Sequence, residues 1–473
     1  MQNCHHPLRS SHWLYLLILL SIPLVVWAKL QVLPTFDDWN TLSQHYEGGF
    51  RYVFYRHDSF WRPFDELFKY FYSYHYEWFP MFSHLCILIG HLFNTILVFL
   101  LCRKLKFSEL SQAVATAFFY FSPAVLATLW ACDSMNQVYS QFWGLAALLA
   151  YLSYQGRRQC LAWMLCCLMA TLTKENGIAW FFIAPVIAFV FGHIDVQRLR
   201  KHLSWAAVAI VIYLAVRFTI PMVGDYNDEY FSLDVPKVIK QLAMLFGFSW
   251  LAVDFVYLLH EPSRNLLFVL LTAVLSVPFI VVLFKDVSRW KQKGFLTLAA
   301  SALVVVLPNI LTNLSVMNVY ASLGMFALLV AYNIHSISNV KWLKITFAGY
   351  LLAAIFIDTH LWFTSWQTSL AGKQMAQQTI SDSKHPARKV FTITVEDDVR
   401  KLSSFCVSPC DAFGWGIAVM YETGMQWPKE LRDSTVSYDT SAADIEKIAH
   451  RALNDGYDAV WIVKKKHVEV LEK

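Results

Sequence analysis

From Trp13 to Phe363 the chain is a succession of apolar runs broken by short polar connections. A run near 20 apolar residues satisfies its own backbone as a helix and reaches across a ~30 Å hydrocarbon layer. Repeated many times, that pattern specifies an α-helical polytopic membrane protein. Charge content agrees: 15% of residues are Asp, Glu, Lys or Arg, against about a quarter in soluble domains. The abundant Trp, Tyr and Phe sit at many run ends, where an interfacial belt places them.

The first run, Trp13 to Leu33, follows Arg9 and lacks a small-residue cleavage site at Val26-Trp27-Ala28-Lys29, so we read it as a retained span. Further spans are expected near 80–102, 109–131, 136–154, 160–173, 177–192, 204–222, 264–284, 295–313, 316–334 and 345–363. The stretch 236–259 is apolar but carries Lys237, Lys240 and Asp254. Reading it as interfacial or re-entrant puts the basic connections on one side, from Arg103-Lys104-Lys106 to Lys341-Lys344. The outcome is about eleven spans, with the N-terminus inside and the C-terminus outside.

The part after Phe363 reads differently. Residues 365–388 are polar, a linker with possible helix; Val390–Val395 and Ala459–Val463 have strand character; Ala442–Leu453 has helical spacing. A small α/β domain over 389–473 is expected, following a membrane module over 1–364. Cys86, Cys102, Cys132, Cys160, Cys166 and Cys167 fall in or near spans as packing residues. Cys406 and Cys410 would form a disulfide if the tail is outside.

The outer loop 34–79 carries Asp37-Asp38-Trp39, His57-Asp58 and Trp61-Arg62-Pro63. Adjacent carboxylates resist ionising together, which suits one of them to act as a base. The alternative is that the pair caps a loop helix. Lys174-Glu175-Asn176 joins two short runs, so its turn is expected below the membrane surface, where a Lys-Glu pair is costly unless paired or functional. Lys174 and Arg62 are the phosphate candidates; a guanidinium also snorkels readily beside Trp61. Asp133 either lines the same cavity or caps the next helix. His84 and His91 lie too far apart on one helix for a compact metal pair and read as hydrogen-bonded core histidines. A metal site of His57 with Asp37 or Asp38 is a weaker reading.

Taken in order, Asp37-Asp38, Arg62-Pro63, His91 with Asn94, Cys132-Asp133-Ser134-Met135-Asn136 and Lys174-Glu175 resemble the motifs of the GT-C superfamily of membrane glycosyltransferases. The resemblance is to the protein O-mannosyltransferase and transmembrane-and-TPR mannosyltransferase types, and covers roughly the first 190 residues. Asn318-Val319-Tyr320 lacks the arginine of the corresponding later motif, and no tetratricopeptide period is present. The resemblance implies a GT-C-like fold and a polyprenyl-phosphate-linked sugar donor used at the outer membrane face; the compactness of the chain points to a bacterial inner membrane. The acceptor would be a hydroxyl on a glycan, lipid or protein, and no nucleic acid is involved. It implies Asp37 as base with Asp38 supporting. Arg62 and Lys174 would hold the phosphate, Glu175 would orient Lys174, and Asp133, His91 and Asn94 would complete the substrate site. A divalent metal ion at the acidic site stays open. The competing classes are a flippase for lipid-linked glycan, a scaffold, and an oligosaccharide ligase or polymerase.

Overall fold

The computed structural model describes residues 12–34, 38–39, 41–42, 49–57, 60–223, 234–252, 262–312, 314–335, 337, 340–396 and 408–473. Helix α1 (His12–Leu30) spans about 28 Å at 1.5 Å per residue, close to one hydrocarbon thickness. Leu19, Leu20 and Leu24 on it are exposed, as lipid-facing residues are. A two-residue strand β1 (Arg56–His57) and helix α2 (Pro63–Tyr74) occupy the loop that follows. Pro63 starts α2 because a first-turn residue has no intrahelical N–H bond to lose.

Helices α3 (Met81–Lys104), α4 (Glu109–Tyr120), α5 (Leu126–Trp130), α6 (Met135–Ser153), α7 (Gly156–Thr173) and α8 (Trp180–Val190) follow. The expected span 109–131 is therefore interrupted: α4 stops at Tyr120, and Ser122-Pro123 lead a 3-10 turn before α5. Between α7 and α8 a 3-10 turn, Glu175–Ala179, carries the Lys-Glu motif into the protein. Gly177 is required there, since a Cβ would lie 2.2 Å from the Ala170 backbone. Helix α9 (Val196–Thr219) leads to β2 (Met222–Val223), which pairs in parallel with β1.

Helix α10 (Val235–Trp250) has 16 residues, short of the ~20 a span needs. It is followed by α11 (Pro262–Phe284), α12 (Lys293–Leu311), α13 (Tyr320–Ile334) and α14 (Val340–Asp382). Seven helical segments among the described residues are long and apolar enough to cross a membrane: His12–Leu30, Met81–Lys104, Val196–Thr219, Leu266–Phe284, Lys293–Leu311, Met317–Ile334 and Val340–Asp382. Those expected at 109–131, 136–154, 160–173 and 177–192 form helices that are shorter, broken or more polar. The 43 residues of α14 run unbroken to Asp382, so most of 365–388 takes the helical form that its reading as a linker with possible helix allowed.

The tail carries β3 (Lys389–Val395), α15 (Pro409–Phe413), α16 (Ile417–Glu422), β4 (Glu430–Val436), α17 (Ala442–Asn454), β5 (Ala459–Lys464) and β6 (His467–Glu472). The sheet order is β4-β3-β5-β6, with β3 parallel to both neighbours and β6 antiparallel to β5. Ala459 to Val463 are all buried because β5 is covered on both faces. Ile445, Ala449 and Ala452 of α17 pack with Ile393, Val460 and Ile462 on one face. Phe413 and Trp427 meet Trp461 on the other. The tail then docks on the outer loop: Trp39 Nε1 donates to the Ala412 carbonyl at 2.8 Å, and the Tyr421 hydroxyl donates to the Phe79 carbonyl at 2.5 Å.

Candidate functional site

Trp39, pinned by the tail, places its neighbour Asp38 against the start of α6. Asp38 is 2% exposed, and its Oδ1 accepts from the backbone N–H groups of Cys132 (2.8 Å) and Asp133 (2.9 Å). Two N–H donors at a helix entrance are a natural anion cradle. Asp37, the expected base, lies outside the described residues, as do Asp58 and Cys406.

From that cradle a polar network runs on to α2, the start of α6 and the turn between α7 and α8. The Asp133 carbonyl accepts from Asn136 Nδ2 at 3.2 Å, and the same amide nitrogen reaches Asp65 Oδ2 at 3.1 Å. Asn136 Oδ1 in turn accepts from Lys174 Nζ at 3.3 Å. Lys69 bridges Asp65 (2.8 Å) and Glu66 (3.2 Å) one turn apart on α2. Glu175 accepts from the Trp61 backbone N–H at 3.1 Å and from Arg62 Nε at 2.8 Å. Arg62 also lies over the Phe60 ring, 4.2 Å from its centroid.

Burial and excess acid set the electrostatics. Burial pushes the Asp133 carboxyl up, with Lys69 opposing and Asp65 assisting. Burial brings Lys174 down to about 7, helped by Arg62 and opposed by Glu175, Asp65 and Asp133. For Arg62, burial works against the charge, but Glu175 and Asp65 outweigh it and the guanidinium is held more firmly protonated than usual. Burial likewise disfavours charge on Lys69, yet Asp65 and Glu66 carry it well above the ordinary lysine range.

Two expectations are corrected here. Glu175 does not hydrogen-bond Lys174; it clamps Arg62, while Lys174 is oriented by Asn136. Asp133 does not cap α6: Ser134 stands at the cap position without a side-chain cap bond, and the Asp133 backbone N–H serves Asp38 instead. His91 and Asn94 are brought together, but away from the network. His91 Nδ1 and Asn94 Nδ2 each lie 3.0 Å from the Tyr320 hydroxyl, and Asn94 also donates to the Val138 carbonyl at 2.9 Å. His84 meets the Val32 carbonyl at 2.9 Å, as expected of a core histidine. His57 meets the Tyr52 carbonyl at 2.9 Å. Among the described residues no three His, Cys, Asp or Glu side chains converge as metal ligands.

Sequence reading missed Asp65, Lys69 and Lys29, and it quoted Asn136 in a motif without giving it a role. Lys29 lies in the last turn of α1, 1% exposed, with no hydrogen bond to its amine and its charge acting on Asp38 and Cys132. A lysine one turn from the end of a span signals snorkelling, and only the packing turns this one inward.

A cavity of about 430 Å³ opens between α1, the α4–α5 turn and α14, with His91 on its wall. Leu20, Leu24 and Trp27 form its exposed, lipid-side wall; Ser122, Leu126, Leu129, Trp130 and Asp358 line it within. Among the described residues the Trp130 indole nitrogen and Asp358 Oδ1 are buried without hydrogen-bond partners. A carboxyl within an apolar span is costly enough to suggest a use.

Two solved structures share this architecture. ArnT from Cupriavidus metallidurans bound to undecaprenyl phosphate aligns with a TM-score of 0.52 over 98% of this chain and 98% of its own, at 12% identity. The apo state of the same ArnT aligns with a TM-score of 0.52 over 97% of each chain, at 11% identity. No family model matches the chain, and no curated protein matches it in sequence. At this identity the likeness is one of fold: the chain is an integral membrane protein with a GT-C-like architecture similar to ArnT and a small C-terminal α/β domain.

Proposed function

We propose that this protein is a glycosyltransferase that moves a sugar from a polyprenyl-phosphate-linked donor to an acceptor hydroxyl at the outer face of a bacterial inner membrane. The observation that carries the proposal is the outer polar network, which sets a cradled carboxylate beside two cations with spare hydrogen-bonding capacity. Arg62 spends Nε on Glu175, and among the described residues no hydrogen bond engages its terminal nitrogens. Among the described residues Lys174 donates to Asn136 alone, leaving ammonium protons for a ligand. A guanidinium held by its Nε presents the planar fork that suits a phosphate.

In this reading Asp37 removes the proton of the acceptor hydroxyl. The resulting oxygen attacks the anomeric carbon, whose bond to the phosphate oxygen breaks, and the lipid phosphate departs with the electron pair. Arg62 and Lys174 balance the charge it gains. Asp38, fixed by two N–H donors, holds the loop segment and keeps the second negative charge in place. Asp133 adds to the acidic wall, and His91 and Asn94 brace the bundle beneath. The cavity beside α1 suits an isoprenoid chain, its volume lying in the ~300–1,000 Å³ range of ligand pockets. The undecaprenyl phosphate of the ArnT structure supports the class of lipid. The test is transfer of radiolabelled sugar from a polyprenyl-phosphate donor pool by purified protein. Asp37→Asn should lose on the order of 10²–10⁴ in rate with unchanged thermal stability. Full activity in that variant would sink the assignment of the base, and absence of turnover with every donor pool would sink the transferase reading.

A further inference from the structure

At the far end of α6 from the outer network lies a second pocket that the proposed reaction does not use. Asn136 at the start of α6 belongs to the network, and Tyr151 near its end borders the pocket through His202. Tyr151 lies 15 residues beyond Asn136, about 22 Å along α6, and the pocket is lined by the connection just past that helix, Gln155 to Arg157. The pocket therefore lies toward the headgroup level of the opposite membrane surface.

It measures about 740 Å³, and Arg157, Arg198 and Lys201 line it. Among the described residues none of the three forms an ion pair with a carboxylate. Asp195, the nearest acid in sequence, is engaged by the Arg198 backbone N–H at 2.8 Å as the cap of α9. Lys201 Nζ stands 4.9 Å from the Trp205 ring centroid, which fixes one cation over an aromatic face. The floor is buried and ordered: His202 bonds the Tyr151 hydroxyl through Nδ1 and meets Cys160 Sγ at 3.8 Å through Nε2. The first turn of α7 also enters the pocket at Gly156 and Arg157 without a side-chain cap, adding unshared N–H groups to the cations.

Below the pocket the two helices that form it present apolar side chains outward. Leu161, Leu165 and Leu168 on α7 and Val208, Val211 and Ile212 on α9 are all exposed. A phosphate-sized anion would use the cations alone; a phospholipid would use both features. We propose that this pocket binds the headgroup of an anionic phospholipid, with its acyl chains lying along the exposed faces of α7 and α9. Unpaired cations between helix ends at a membrane surface are the recurring form of such sites.

The test uses full-length protein in nanodiscs of phosphatidylcholine with and without phosphatidylglycerol, reading retained phosphatidylglycerol by native mass spectrometry. Arg157→Gln/Arg198→Gln/Lys201→Gln should bind it on the order of 100-fold more weakly, at roughly fivefold per cation. Arg103→Gln/Lys104→Gln/Lys106→Gln removes the same charge from the same membrane surface and should bind as wild type. Millimolar inorganic phosphate should not displace the lipid. Equal losses in the two triple variants would reduce the effect to general surface charge and overturn the proposal. Displacement by phosphate would make the pocket a soluble-anion site and overturn it too. Where the first triple variant does not fold, Arg198→Gln alone should show the fivefold loss, and wild-type binding in it counts against the pocket.

Discussion

The outer network and the His91–Asn94–Tyr320 knot are both buried polar clusters, yet they spend their hydrogen bonds differently. In the knot the Tyr320 hydroxyl ties His91 to Asn94, Asn94 also donates to the Val138 carbonyl, and His91 borders the cavity beside α1. In the network, among the described residues, Arg62 and Lys174 are held by one partner each and keep donors in reserve. Among the described residues the knot also leaves His91 Nε2 and Asn94 Oδ1 without partners, so the two clusters differ in the kind of capacity left over: neutral atoms in the knot, cationic donors in the network. Cationic donors held at one end are preorganised for an anion. Burial and polarity alone therefore do not mark a site; the charge of the unspent groups does.

The contrast is broken most sharply at Lys174. Lys174→Met should cost about 1.5–3 kcal/mol of donor binding in the transition state, the worth of a hydrogen bond to a charged group. That appears as a fall in kcat/KM with little change in Tm; a large Tm loss with normal kcat/KM would move Lys174 to the structural side. Tyr320→Phe should do the reverse. It leaves buried His91 and Asn94 short of a partner, at about 1–3 kcal/mol of stability, while KM for the donor stays put. Chemical unfolding against donor titration separates the two.

Arg62→Lys should have a smaller effect, raising the donor KM about tenfold, because a lysine cannot hold Glu175 and offer a fork at once. An unchanged KM would place the phosphate elsewhere. Smallest is the pH response. Lys174 carries its proton below about 7 and loses it above, so donor KM should rise a few-fold as pH passes upward through that value. In Lys174→Arg the rise should flatten, since a guanidinium stays charged. Stability without donor should move the other way. The unfolded lysine holds its proton to about 10.4, so between 7 and 10 the unfolded state binds more protons and folding is favoured as pH rises.

Much of the scaffold was legible in the chain itself. The first run became α1, VFTITV became β3, AVWIV became β5, and Ala442–Leu453 became α17. Each is announced by local periodicity. The break at Ser122-Pro123 was missed because the apolar run continues through it, and the polar half of α14 read only as a linker with possible helix. In the site, Asp38, Arg62, Asp133, Lys174 and Glu175 were named from their motifs, and the structure gathers all five. Asn136 was quoted only as the end of a motif, and Asp65 and Lys69 went unread: they lie on an ordinary amphipathic helix, with no local signal to lift them from a solvated face.

What the sequence determined alone was the membrane class, the acidic loop after the first span and the tail's α/β character. These follow from hydrophobicity and side-chain period summed over neighbouring residues. Tertiary structure alone decided the partnerships. Glu175 belongs to Arg62, 113 positions away, and not to the adjacent Lys174. Asp38 belongs to two N–H groups 94 and 95 positions on. Hydrogen bonds act over about 3 Å in space, and which distant segments come within that reach is set by how the helices pack.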